Sequence, residues 1–338
     1  MVRVGIIGTG RIGKVHIRAL NSMLDHARIV AVADPYLDEK AVRDLVVSPE
    51  PVKFTKNVDE IFTDPDVDAV FICTPTDTHV EYSLKAIAAG KHVFCEKPVD
   101  HSVAKIQAVA DALAAHPGIK FQVGFNRRYD HNFAAARKAT KDGKIGKVEC
   151  VRVTSRDPGL PSMDYLKGSG GMFLDMTIHD FDMVRFQAGA DIDEIFVESA
   201  CLVDPAVGEI GDIDSAAIVL KMKNGALAVI ENSRRACYGY DQRCEVFGSD
   251  GLITVSNDAP NNAMISGADG VHAEKPYYFF LERYEQAYHD EVAEFIKAVE
   301  NDTEVPAGIY DGLMGVAAAV AANLSMKEHR PVKMSEIV

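Results

Sequence analysis

Positive charge is in short supply in this chain: 36 lysines and arginines face 50 aspartates and glutamates, leaving a formal net charge of −14. Such a surface repels phosphate backbones and anionic lipid, so neither nucleic acid nor a membrane is expected as a partner. No apolar run approaches a bilayer span, and Met1-Val2-Arg3-Val4-Gly5-Ile6-Ile7 leads straight into a strand pattern without a signal peptide's profile. Cys73, Cys95, Cys150, Cys201, Cys237 and Cys244 include no CxxC pair and sit mostly in apolar strand-like runs. Buried free thiols in a reducing, cytoplasmic setting are the expectation. Internal repeats and low-complexity linkers are missing as well. What remains is 338 residues, 47% hydrophobic and 25% charged, which suits a globular chain of two domains.

The first third alternates short β-branched runs with amphipathic helical stretches. Strand signals fall at 4–7, 29–33, 69–73, 92–95 and 120–123, and helical patterns at 12–23, 58–62, 78–89 and 103–114. Strands separated by single helices call for a parallel sheet wound on both faces, an α/β Rossmann arrangement. After about Gly124 the rhythm changes. Helices are expected at 129–140 and 171–187, the latter capped by Gly189, and a strand at 147–154. Strands at 195–203, 215–222, 226–233, 242–247 and 252–256 follow without intervening helices, and Lys223-Asn224-Gly225 joins two of them as a tight hairpin. Helices at 284–300 and 310–327 close the chain. The reading is a dinucleotide domain over 1–124 and an α+β substrate and oligomerisation domain over 125–338, with a large, mostly antiparallel sheet.

Gly8-Thr9-Gly10-Arg11-Ile12-Gly13 follows the first strand and opens the first helix. In that context Gly8 permits the sharp turn, Gly10 lets the backbone approach a diphosphate, and Gly13 allows close helix–strand packing. Gly8, Gly10, Arg11, Ile12 and Gly13 are therefore candidate cofactor contacts. Asp34 ends the second strand roughly 20 residues on, where an acid binds the adenosine ribose hydroxyls. A carboxylate there repels a 2′-phosphate, and Pro35-Tyr36 offers no cation to receive one, so NAD is expected over NADP.

Two segments carry candidate chemistry. Glu96-Lys97-Pro98 lies at the carboxyl end of the fifth strand signal, where open α/β folds bind ligands. Lys97 there is either a solvated loop lysine or a donor to a developing oxyanion. Asp175 and His179 are four apart on an expected helix, within reach of one another. Such a pair orients a general base, and it equally describes a satisfied, partly buried histidine. A metal set of Asp175, His179, Asp180 and Asp182 holds one imidazole and no completing His or Cys, so no metal is expected.

Together the 8–13 loop, Ile72-Cys73-Thr74-Pro75, Glu96-Lys97-Pro98 and Asp175-x-x-x-His179 resemble the glucose–fructose oxidoreductase/inositol dehydrogenase family over essentially the whole chain. Gly124-Phe125-Asn126-Arg127-Arg128-Tyr129-Asp130, Ser155-Arg156-Asp157-Pro158, Ile178-His179-Asp180-Phe181-Asp182 and Asn232-Ser233-Arg234-Arg235-Ala236-Cys237-Tyr238-Gly239-Tyr240-Asp241-Gln242 are similar to its inositol-oxidising branch, although that branch has an apolar residue where Asn126 stands. The resemblance implies a second-domain sheet with an open face, NAD as cofactor, and oxidation of a cyclic polyol, myo-inositol to scyllo-inosose. It implies that Lys97 contacts the reacting hydroxyl through a segment with a cis peptide to Pro98, that His179 is the general base, and that Asp175 is its partner. Arg127, Asp157 and Tyr238 would complete the polyol site. Thr74 and Pro75 would pass beneath the nicotinamide, with His79 and Glu96 nearby. A homotetramer is also implied.

Lys, Arg, Asp, Tyr and His suit a polyhydroxylated ring, since an apolar alcohol would leave them unpaired. Arg127 and Arg128 equally suit a substrate carboxylate or phosphate. The alternatives are a scyllo-inositol, glucose or other sugar dehydrogenase, an NAD-dependent glycoside hydrolase, and a non-catalytic NAD sensor.

Overall fold

The computed structural model describes residues 1–338 and contains two compact units, Met1–Tyr129 with Gln286–Val316, and Asp130–Glu285 with Ala317–Val338. The chain is therefore not divided by one cut after Gly124. The helix Glu285–Asn301 explains the difference, because its apolar face completes the first core. Val292, Phe295 and Ile296 are buried there, and the Phe295 ring meets Phe71 and Phe94 edge-on at 5.5 and 5.7 Å. Burying each such side chain contributes about 1.5–3 kcal/mol. The sequence pattern gave the helix but not the unit that would claim it.

In the first unit β1 (Val2–Ile7), β2 (Ala27–Ala33), β3 (Lys53–Thr55), β4 (Ala69–Ile72), β5 (His92–Cys95) and β6 (Phe121–Val123) form one parallel sheet in the order β3-β2-β1-β4-β5-β6. The winding reverses between β1 and β4, and the crevice beyond their carboxyl ends is where such sheets take ligands. Val4, Ile6, Phe71, Ile72, Val93 and Phe94 are wholly buried, as expected for strands covered on both faces. β3 escaped the sequence reading, because three residues are too few to show a period.

The second unit holds β7 (Val148–Arg156), β8 (Ile192–Ala200), β9 (Ser215–Met222), β10 (Leu227–Ser233), β11 (Asp241–Gly248), β12 (Gly251–Val255) and, from the end of the chain, β15 (Val332–Lys333), ordered β12-β11-β7-β10-β9-β8-β15. Only β7 and β10 run parallel; every other pairing is antiparallel. A separate hairpin, β13 (Met264–Gly267) and β14 (Gly270–Ala273), is exposed throughout. The expected turn at Lys223-Asn224-Gly225 is present, with Gly225 at φ +89°. Strict alternation of burial along β9 leaves one face of the sheet open. That face carries Val219, Leu227, Phe247 and Leu252, each close to half exposed.

Two further expectations need correction. The helix Ile309–Glu328 does reach the length and apolarity of a bilayer span; within it Val316, Ala317, Ala318, Ala319, Ala321 and Ala322 are fully buried in the protein. The helix expected over 171–187 begins instead as a π-turn, Phe173–Thr177, and becomes α-helical only at Ile178–Ala188. It ends at Gly189 in the left-handed conformation, as expected. Of the cysteines, Cys73, Cys95 and Cys244 are buried, and burial pushes the Cys244 thiol up to about 12; Cys237 is exposed.

Candidate active site

The loop after β1 is shaped for a dinucleotide by its own packing. A side chain on Gly8, at φ +96°, would lie 2.6 Å from the carbonyl oxygen of Cys73, and one on Gly13 would lie 2.1 Å from that of Gly8. A side chain on Gly10 would meet nothing within 4 Å, so the approach over this residue is open. Gly10 caps the helix Arg11–Asn21 without any side-chain bond, and the first turn holds no acid. Bare N–H groups at a helix start, with the macrodipole behind them, suit a diphosphate. Asp34 is oriented by the same loop: Oδ2 accepts from the Thr9 amide and hydroxyl at 2.7 and 2.8 Å, and Oδ1 accepts from the Tyr36 amide at 2.8 Å.

Lys97 is half-buried at the carboxyl end of β5, and its peptide to Pro98 is cis, as expected. Its neighbours are held by two buried histidines. His16 Nε2 lies 2.6 Å from Glu96 Oε1, while Glu96 Oε2 accepts from the Lys97 amide at 3.3 Å. Gly124 makes room for this carboxylate, since a side chain there would come within 3.0 Å of Oε2. His79 places Nδ1 2.8 Å from the Pro98 carbonyl oxygen and Nε2 2.8 Å from that of Thr74. Burial lowers its pKa below the usual histidine value, against the opposing pull of the two carbonyls, Glu96 and Asp77. The Thr74 hydroxyl shares a 2.6 Å bond with that of Thr78, and Pro75 leads into the short turn Thr76–Thr78.

Arg127 and Arg128 are buried in the turn Asn126–Tyr129. Arg128 donates to the Pro306 carbonyl at 2.7 Å and pairs with Asp311 at 2.8 Å. One of the two arginines that suited an anionic substrate is thus committed to the fold.

In the second unit Asp175 and Asp157 converge on Arg234, which lies in the family-like segment 232–242 and to which the sequence assigned no role. Its side chain is 1% exposed; Nη2 donates to Asp175 Oδ2 at 3.0 Å, and Nη1 lies 3.7 Å from Asp157 Oδ2. The other Asp175 oxygen accepts from Tyr165 at 2.7 Å. The π-turn at Asp175 changes the basis of the expected four-residue pairing with His179, which sits half-buried in the first α-turn of Ile178–Ala188. Such turns recur at functional sites.

Tyr238 belongs to a different cluster. Its hydroxyl donates to Asp241 at 2.6 Å and accepts from Arg156 at 2.8 Å, and with Arg156 it lines a cavity of about 670 Å³ on the second unit. Of the metal set weighed above, Asp180 accepts from Asn232 at 2.8 Å and Asp182 lies 3.8 Å from Arg185. A further triad, Asp130, His131 and Asp258, has the spacing of ligands, but Arg283 pairs with both aspartates at 2.5 and 3.1 Å. His16 and Tyr165 were missed, and Arg234 was given no role, because their partners lie 80, 10 and 59 positions away. The sequence signal for Arg234 is its place in the segment similar to the inositol-oxidising branch, directly past an alternating strand.

Residues 2–125 match a family model described as an oxidoreductase family with an NAD-binding Rossmann fold, and 133–254 match the GFO/IDH/MocA C-terminal domain. The chain is 42% identical to the myo-inositol 2-dehydrogenase of Thermotoga maritima, over 100% of both chains. It is 44% identical to the inositol 2-dehydrogenase of Rhizobium meliloti, over 99% of each. Among solved structures, the scyllo-inositol dehydrogenase of Lactobacillus casei with bound NAD(H) and scyllo-inositol superposes with a TM-score of 0.91 at 29% identity, covering 99% of each chain.

Proposed function

Since the chain belongs to the GFO/IDH/MocA oxidoreductases and uses NAD, we propose that it oxidises a ring hydroxyl of inositol, converting myo-inositol to scyllo-inosose. The observation that carries this reading is the pair of carboxylates, Asp157 and Asp175, held around Arg234. Carboxylates only accept hydrogen bonds, and a ring bearing a hydroxyl on every carbon supplies donors for them. Each carboxylate offers about four acceptor sites, so hydroxyl donors of such a ring can add to the bonds from Arg234 and Tyr165, whereas an apolar alcohol adds none. The names of the two relatives at 42 and 44% identity support inositol as that ring.

In the proposed step His179 takes the hydroxyl proton, and Lys97 donates to the same oxygen as negative charge develops on it. Asp175, with its rotamer set by Tyr165 and Arg234, orients the base. NAD, when bound, supplies the hydride acceptor. The ring carbon loses hydride and the oxygen loses its proton, so a carbonyl forms and two electrons leave with the hydride. Gly8, Gly10 and Gly13 would hold the diphosphate, and Asp34 the adenosine ribose.

The test is the rate of NADH formation with myo-inositol, scyllo-inositol, D-chiro-inositol and glucose under one condition. Myo-inositol is expected to give the highest kcat/KM. A lead for scyllo-inositol would overturn the isomer, and that outcome has its own support in the solved relative. Glucose exceeding every inositol tenfold would overturn the substrate.

The open sheet face supports self-association, with a homotetramer as the proposed state. Leu227 pairs with Cys150, Cys150 with Phe247 and Phe247 with Leu252, so one row of neighbouring side chains is apolar and uncovered by the chain itself. Such patches mark interfaces. Light scattering at micromolar concentration is expected to give four times 36.8 kDa, and Leu227→Glu with Phe247→Glu to lower that mass. A monomeric wild-type chain would refute the proposal.

A further inference from the structure

Neither His79 nor His16 has a chemical part in the proposed reaction, yet both are wholly buried, at 1% and 0% exposure. Each touches a residue next to Lys97, on opposite sides of it. His16 stands on the helix that opens at the glycine loop and meets Glu96, whose other oxygen accepts from the Lys97 amide. His79 opens the helix His79–Ala88 and bridges the carbonyls of Pro98 and Thr74. Thr74 in turn backs the loop, for its amide would lie 3.0 Å from a side chain on Gly8. The backbone is thus tied on both sides of Lys97 to elements that shape the dinucleotide loop.

Two features of these ties point beyond packing. The Pro98 and Thr74 oxygens only accept, so a neutral His79 ring donates to one at a time and the imidazolium to both. His16 Nδ1 is buried without a partner. Apolar side chains of similar size would fill both places without these costs. What the histidines add is direction: a bond to a carbonyl or carboxylate fixes where that group points.

We propose that His79 and His16 are positioning residues that hold Lys97 in register with the dinucleotide loop, His79 acting through the Pro98 carbonyl and His16 through Glu96. The inference rests on the reading that Lys97 meets the reacting hydroxyl. A displacement of about 1 Å at such a group can cost about 100-fold in rate.

The test compares His79→Leu, which removes both contacts, with His79→Asn, whose amide reaches the Nδ1 position and can donate to Pro98. His79→Leu is expected to lower kcat about 100-fold and His79→Asn to recover most of that loss, while calorimetry shows NAD affinity nearly unchanged in both. In a Lys97→Met background, His79→Leu is expected to cause no further loss, as groups acting through one another are not additive. Equal losses in both backgrounds, or Asn no better than Leu, would overturn the proposal. If the Leu variant does not fold, Gln replaces it: its amide reaches the Nε2 position and serves Thr74, so Asn is expected to exceed Gln, and the reverse order overturns the idea. Reductive methylation of Lys97, followed by mass spectrometry without substrate, is expected to change rate in the Leu or Gln variant and return in Asn. An unchanged rate refutes the positioning role. Should the wild type oxidise no polyol, the proposed function falls while this labelling still decides the inference.

Discussion

Lys97→Met is expected to lower kcat by about 10²–10³-fold, the loss seen when one donor to a developing oxyanion is removed. Methionine keeps most of the length and apolar volume of the stem, so the change removes the ammonium and little else. Lys97 is half-buried rather than a core residue, and the bonds that shape its segment come from Glu96 and His79. The melting temperature should therefore stay within a few degrees of wild type. The glycine loop and Asp34 lie outside the change, so calorimetric NAD affinity should fall less than threefold. Turnover with myo-inositol and NAD titration on the same preparation decide the matter. Normal turnover would remove Lys97 from the mechanism, and lost NAD binding would move it to the cofactor site.

The parts legible in the sequence are those where one local rule leaves one solution. Gly8, Gly10 and Gly13 follow a strand and open a helix, and the packing around each matches its expected task. Asn224-Gly225 dictates a hairpin turn, and it is there. The parallel sheet followed from the alternation of strand and helix, apart from β3, whose Lys53–Thr55 carries no pattern of its own. What stayed hidden depends on tertiary context. The helix Glu285–Asn301 shows its apolar stripe plainly, but a stripe does not name the core it joins. β7 and β10 pair in parallel although the runs around them are antiparallel, and no period records that choice. The π-turn at Asp175 has no residue signature, because one extra residue in a turn leaves an apolar helix looking like any other. Lys97, Asp175 and His179 stood out by motif. Glu96 stood in the same motif as Lys97 and Arg234 in a segment similar to the inositol-oxidising branch, but Tyr165 and His16 are ordinary residues made specific only by the fold.

Arg234→Met should be the most damaging single change in the second unit. One guanidinium serves two carboxylates: Asp175 at 3.0 Å and Asp157 at 3.7 Å, whose side chains are 13% and 16% exposed. Removing it takes the guanidinium from both charges with little water to replace it, a loss of about 3–5 kcal/mol for a buried pair, with the low end expected because the carboxylates keep some exposure and Asp175 keeps its bond from Tyr165. Yet the cluster is not built for stability, since Arg234 Nε is buried without a partner, a cost of about 1–3 kcal/mol by itself. That combination predicts a separable result. Arg234→Met should lower the melting temperature by several degrees and kcat by about 100-fold. Adding Asp175→Asn should recover part of the stability, because one of the two charges that faced the guanidinium is gone, and none of the activity, because the acceptor that orients the base is gone too. Arg234→Lys should fall between, keeping the charge but losing the fork that reaches two acids. Thermal melts and myo-inositol turnover on the four proteins test this together. A double variant as unstable as Arg234→Met would show that charge left without the guanidinium is not the cause, and recovery of turnover in it would end the assignment of Asp175.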